Sequence, residues 1–117
     1  MATYTKAILS GSTSGKGVLV AATATAGTLI HTAVAGATDI DEIWIYAVNS
    51  SASSVKLTIE YGGATAPDDN IEVTVLPEAG LVTVVAGLLL NGGLTVKAFA
   101  GTASVVTVHG FVNQIAA

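Results

Sequence analysis

The chain has no cysteine and no arginine, only two prolines and one tryptophan, and few aromatics of any kind. Without cysteine there is no disulfide, no thiolate metal site and no cysteine nucleophile. Charge is scarce as well: 10% of the 117 residues are charged, against about 25% in ordinary domains. Lys6, Lys16, Lys56 and Lys97 stand against eight acids, for a net charge of −4. Nucleic-acid binders need clustered cations to displace phosphate counterions, and polybasic membrane anchors need the same, so neither partner is expected. The longest apolar run, Leu81 to Leu90, is broken by Thr83 and Gly87. It falls short of the about 18 residues of a membrane-spanning helix. The opening MATYTKAIL lacks the charged and apolar regions of a secretory signal.

Hydrophobic residues, by contrast, make up 51% of the chain. A free monomer relies on charge for solubility. Either partner subunits cover much of the surface, or the abundant Thr and Ser form the solvent face. The length suits one domain, able to hide roughly two thirds of the surface its unfolded chain exposes.

The pattern is that of strands. Glu42 to Tyr61, EIWIYAVNSSASSVKLTIEY, reads as two strands joined by a Ser-rich turn, a hairpin at the centre of the chain. The first is apolar on both faces, with Ile43, Ile45 and Ala47 opposing Trp44, Tyr46 and Val48, as in a central or sandwiched strand. The second alternates, Val55, Leu57, Ile59 and Tyr61 against Lys56, Thr58 and Glu60, as in a half-solvated strand. Val18 to Thr25 and Thr28 to Val34 precede them, the latter setting Leu29, His31 and Ala33 opposite Ile30, Thr32 and Val34. Ile71 to Leu76, Leu81 to Leu90, Leu94 to Ala98 and Ser104 to Ile115 follow, the last with a bend at Gly110. The loop GGATAPDDN (62–70) and the hairpin-type turn Asn91-Gly92-Gly93 punctuate them. Eight or nine short strands at intervals of about 8–12 residues, with no amphipathic helix, predict an all-β chain. The expected domain is a single β-sandwich or jelly roll over residues 18–117. Residues 1–17 are expected as an extended, flexible N-terminal arm. Thr3 to Leu9 can pair there as an edge strand, and SGSTSGKG (10–17) connects it with no apolar anchor.

Candidate chemistry is thin. Gly11 to Gly17 approaches a phosphate loop, but only three residues separate Gly11 from Gly15, and Gly17 follows Lys16 where Mg²⁺ binding needs Ser or Thr. His31 and His109 lie inside strands without metal-ligand spacing, which favours sheet side chains bonded to backbone. Asp39, Asp41 and Glu42, and then Asp68, Asp69 and Glu72, could offer oxygen ligands to a hard cation. Both groups fall at turns, where acids are ordinary solvated turn formers. There is no Gly-x-Ser-x-Gly elbow and no nucleophile–base spacing, so no enzyme and no cofactor are expected. Trp44, Tyr46 and Tyr61 could stack on sugars, but core or inter-subunit packing is the simpler use of strand aromatics.

The segments VLVAATATAGTLIHTAVAG (18–36), DEIWIYAVNSSASSVKLTIEYGG (41–63), Ala66 to Asp69 and VVTVHGFVNQI (105–115), in that order, resemble small virion proteins of tailed bacteriophages, of the capsid decoration or cement type. The resemblance implies a β-rich structural module on the outer surface of the virion head, made in the host cytoplasm. It implies a homo-oligomer, often a trimer, bound to the major capsid protein and bridging capsomers, with no catalytic residues. In that setting Tyr4, Lys6, Ile8 and Leu9 of the arm would meet a partner, and Trp44 and Tyr46 would pack in the core or between copies. A tail, neck or fibre component, and a carbohydrate-binding β-sandwich, are the alternatives.

Overall fold

A computed structural model of the chain describes residues 2–116, and every regular element among them is a β-strand. The strands are β1 (Thr3–Ile8), β2 (Val18–Leu19), β3 (Thr28–Thr32), β4 (Ile40–Asn49), β5 (Val55–Tyr61), β6 (Asn70–Val75), β7 (Val82–Leu90), β8 (Thr95–Ala100) and β9 (Val106–Ala116). They form two antiparallel sheets. Sheet A has the order β1-β9-β4-β7, with β2 also on β9; sheet B has the order β3-β8-β5-β6. The all-β expectation therefore holds, in an arrangement compatible with a β-sandwich.

The core lies between the sheets. Alternation along β4 and β9 turns Ile43, Ile45, Ala47, Val106, Val108 and Val112 inward. Leu57 and Ile59 of β5 and Val96, Ala98 and Ala100 of β8 are buried with them in one cluster. Each large aliphatic side chain moved from water into such a core contributes about 1.5–3 kcal/mol.

Chain order and sheet order differ. From β2 to β9, only β5 and β6 are consecutive strands paired in one sheet. The central hairpin expected from the sequence is therefore absent: β4 belongs to sheet A and β5 to sheet B. Asn49 builds the crossing between them. Its buried amide donates to the carbonyls of Ser53 and Val75, at 2.8 and 2.9 Å, and its Oδ1 accepts from the Ser51 N–H and hydroxyl. Asn91-Gly92-Gly93 likewise carries the chain from sheet A to sheet B and closes no hairpin.

Two strand faces also differ from expectation. A bulge between Leu29 and His31 places both Ile30 and His31 inward. The outer face of β5 is not half-solvated, because Thr58 is buried and Glu60 is 1% exposed. The segment before β3 lies across it, and the Glu60 carboxylate accepts from the Gly27 N–H at 2.6 Å and the Thr25 hydroxyl at 2.5 Å. A buried carboxylate needs such donors, since an unsatisfied one is costly.

The N-terminal residues lie along the body. β1 pairs with β9 over its whole length, from Thr3 opposite Ala116 to Ile8 opposite Phe111. β2 resumes on the same edge, with Val18 opposite Val108. Between them residues 9–17 leave the sheet A edge and reach β3. There the Gly11 N–H donates to the Ile30 carbonyl, and the Ser10 hydroxyl accepts from the Thr32 N–H. Leu9, expected on a partner-binding arm, is 1% exposed and belongs to the core.

Candidate interaction surface

The outer face of sheet A is where the sequence's unusual residues gather. Cross-strand partners share a face, so the register builds it row by row. Tyr4, Ile115 and Ile40 form one row; Lys6, Asn113, Glu42 and Leu89 the next. Ile8, Phe111, Trp44 and Ala86 follow, and Leu19, Thr107 and Val48 lie at the far end. Gly15 and Gly17 border the face beside Ile8, Thr107 and His109, and Val34 and Asp39 border it beside Ile40 and Ile115. Tyr4 is 73% exposed, Leu89 54%, Ile8 52% and Leu19 50%. Trp44 and Tyr46 are half-buried here, outside the core. Polar rows, Lys6 with Asn113 and Glu42, and His109 with Tyr46 and Thr83, alternate with the apolar ones, so the face is mixed, with several large apolar side chains left open.

The centre of the face is ordered. The Trp44 and Phe111 rings are stacked nearly parallel, 7° apart, with centroids at 6.0 Å. The Lys6 ammonium sits 5.1 Å from the Phe111 ring centre, a cation–π distance. The Trp44 indole N–H donates to Glu42 Oε1 at 2.9 Å, and the Asn113 amide donates to the same oxygen at 2.8 Å. Those two donors, Asn113 foremost, hold the Glu42 carboxyl below the usual carboxylate range. Gly87 makes room for the indole: its φ is +77°, and a Cβ there would lie 2.9 Å from the Trp44 ring. Gly110 is needed for a different reason, since a Cβ would meet the Trp44 carbonyl.

The other sequence candidates do not converge. Strand alternation sends Asp41 into the core and Glu42 out of it, so their cluster is split. Asp69 Oδ2 accepts from the Thr65 N–H, stabilising its own loop, and Glu72 pairs with Lys56 on the surface at 3.0 Å. Among the described residues no group of three metal-ligating side chains comes together. The residues from Gly11 to Gly17 make the excursion between β1 and β2, and no helix follows them.

His31 and His109 lie on opposite faces. His109 belongs to the outer face of sheet A, opposite Tyr46. His31 is buried, and its Nδ1 accepts from the Ser10 backbone N–H at 3.0 Å. Nε2 therefore carries the proton and donates to Asp41 Oδ2 at 2.8 Å. The Val34 N–H donates to the same oxygen at 3.1 Å. Tyr61 approaches from sheet B. Burial first, and the Asp41 charge second, push its phenol up to about 12. This cluster joins the two sheets and is closed to solvent at His31 and Asp41.

Of the surface, the sequence singled out Tyr4, Lys6, Ile8, Trp44 and Tyr46, and the fold brings them to one face. It passed over Phe111, Asn113 and Ile115, although their alternation along the last strand was visible. Comparison with family profiles, with curated proteins and with solved structures yields no match to this chain.

Proposed function

We propose that the chain is a structural virion protein of the capsid decoration or cement type. In this reading it binds the outside of a phage head, contacts the major capsid protein and bridges capsomers as a homo-oligomer without catalysing a reaction. The observation that carries the reading is the open, largely apolar face of sheet A, on a chain of which only 10% is charged. Such a surface suits a protein that works while assembled. The resemblance set out above supplies the capsid; the face supplies the need for a partner.

The strand order supports a jelly roll as the finer description of the sandwich. If collinear β1 and β2 count as one strand, eight strands remain in two four-stranded sheets, with chain crossings between them. Residues 1–17 act as the arm in this reading. β1 is bonded on one side only, and transfer onto a neighbour's β9 would keep the same ladder, as in domain swapping.

Copy number tests location. Quantitative mass spectrometry of purified particles should find this chain near one copy per major capsid subunit. A few per hundred would move it to the tail, neck or fibre, and absence from particles would overturn the reading. The stacked Trp44–Phe111 pair on an open face favours a second reading, a carbohydrate-binding β-sandwich. Glycans that change Trp44 fluorescence would support it.

A further inference from the structure

The outer face of sheet A carries one lysine and one glutamate, and neither takes part in an ion pair within the described residues. Lys6 and Glu42 occupy the same cross-strand row, on either side of Asn113. With neighbouring strands about 4.8 Å apart, the two stand roughly 10 Å apart, symmetrically about β9. That spacing suits a twofold axis lying over the face and parallel to β9. Rotation about it exchanges the flanks. Lys6 of one copy then faces Glu42 of the other, and the reverse pair forms at the same time. On the adjacent row the same rotation sets Ile8 against Trp44 and Phe111 against its counterpart.

We infer that a second copy of this chain covers the outer face of sheet A, with Lys6 of each copy opposite Glu42 of the other. Charge complementarity picks the occupant, because one face holds both members of the pair in the positions a twofold requires. Glu42 is prepared for the role. Trp44 and Asn113 fix its carboxylate, so little side-chain freedom is lost when the lysine arrives. Stacked sheets lie about 10 Å apart with a mutual angle of about 30°, within reach of a lysine side chain. The flat footprint of four strands over the length from Thr107 to Ile115 is roughly 500 Å². Protruding aromatics and leucines raise its accessible area toward the about 800 Å² per partner of stable complexes.

The contact is isologous and closes at two copies. A trimer, which the resemblance implies, would need a different surface. The inference does not rest on the capsid reading, and it is tested on purified protein, so either can fail alone.

The test is light scattering of the full chain over a dilution series. The expected mass is twice that of the chain at micromolar concentration, falling to one on dilution. Lys6→Glu and Glu42→Lys each set like charges opposite one another and should weaken association about tenfold or more. Mixing the two variants makes every cross-pair opposite in sign again, so the mixture should associate where neither does alone. Association that either variant leaves unchanged, a mixture that stays monomeric, or a wild-type chain that is monomeric or trimeric throughout would overturn the inference. Lys6 is exposed, so Lys6→Glu carries the test alone if circular dichroism finds Glu42→Lys unfolded.

Discussion

At the scale of single residues, the least replaceable polar group is Asp41. Its Oδ2 accepts from both His31 Nε2 and the Val34 N–H, entirely out of solvent. Asp41→Ala leaves the buried His31 Nε2–H and the part-buried Val34 N–H without their acceptor, and a buried polar group left unsatisfied costs about 1–3 kcal/mol. Denaturant unfolding should register that loss, whereas a change below about 1 kcal/mol would mean the pair holds little. Tyr61 gives a pH signature. Its folded pKa is raised to about 12 from the usual 10. The unfolded chain therefore loses this proton first. The stability contributed by the neutral phenol is complete below pH 10 and drains away as pH climbs toward 12. Absorbance titration of native protein should find a phenol ionising near pH 12 that Tyr61→Phe removes. No late step in the wild type would contradict the burial described for that ring.

Strands come next in scale, and β1 is the informative one. It gives sheet A an edge but puts little into the core: Thr3 to Lys6 are exposed, and the first deeply buried side chain is Leu9. Removing residues 1–8 should therefore leave a folded body. Removing 1–17 also deletes Leu9 and the bonds from Ser10 and Gly11 to β3. Loss of a buried leucine side chain alone costs about 2–5 kcal/mol. Thermal melts of the two truncations should differ accordingly, and equal melting temperatures would mean that Leu9 is not anchored. The strands themselves were legible in the sequence, because period-two alternation is a local signal. Ile71 to Val75 and the inward set of β4 follow from it directly. Partners were not legible. Nothing local to NSSASS distinguishes a hairpin from a crossing to the other sheet; the difference lies in Asn49 reaching the Val75 carbonyl, far along the chain. The burial of Glu60 was hidden for the same reason, since its cover comes from Thr25 and Gly27. The bulge at Ile30 shifted the expected faces of β3, and a single inserted residue leaves no mark in composition.

Over the whole molecule, part of the high hydrophobic content stays outside the core, singly at Leu29, Leu76, Leu81 and Leu94 and grouped on one face of sheet A. The core takes the inward faces of both sheets, and the loop before β3 covers part of sheet B. The outer face of sheet A remains, with Tyr4, Ile8, Leu19 and Leu89 exposed around the Trp44–Phe111 stack. The sequence left two readings of its low charge, a surface covered by partners or a solvent face of Thr and Ser. Locating the open face required the register, because residues 4–8, 40–48 and 107–115 meet only through sheet pairing.

The measurement closest to the claim that partners cover this face uses Trp44, the only tryptophan in the chain, as a reporter at its centre. Acrylamide quenching of its fluorescence should be strong in dilute protein and fall sharply as copies associate or enter particles. Quenching that stays equally strong in dilute, concentrated and particle-bound protein would contradict an assembly role for this face.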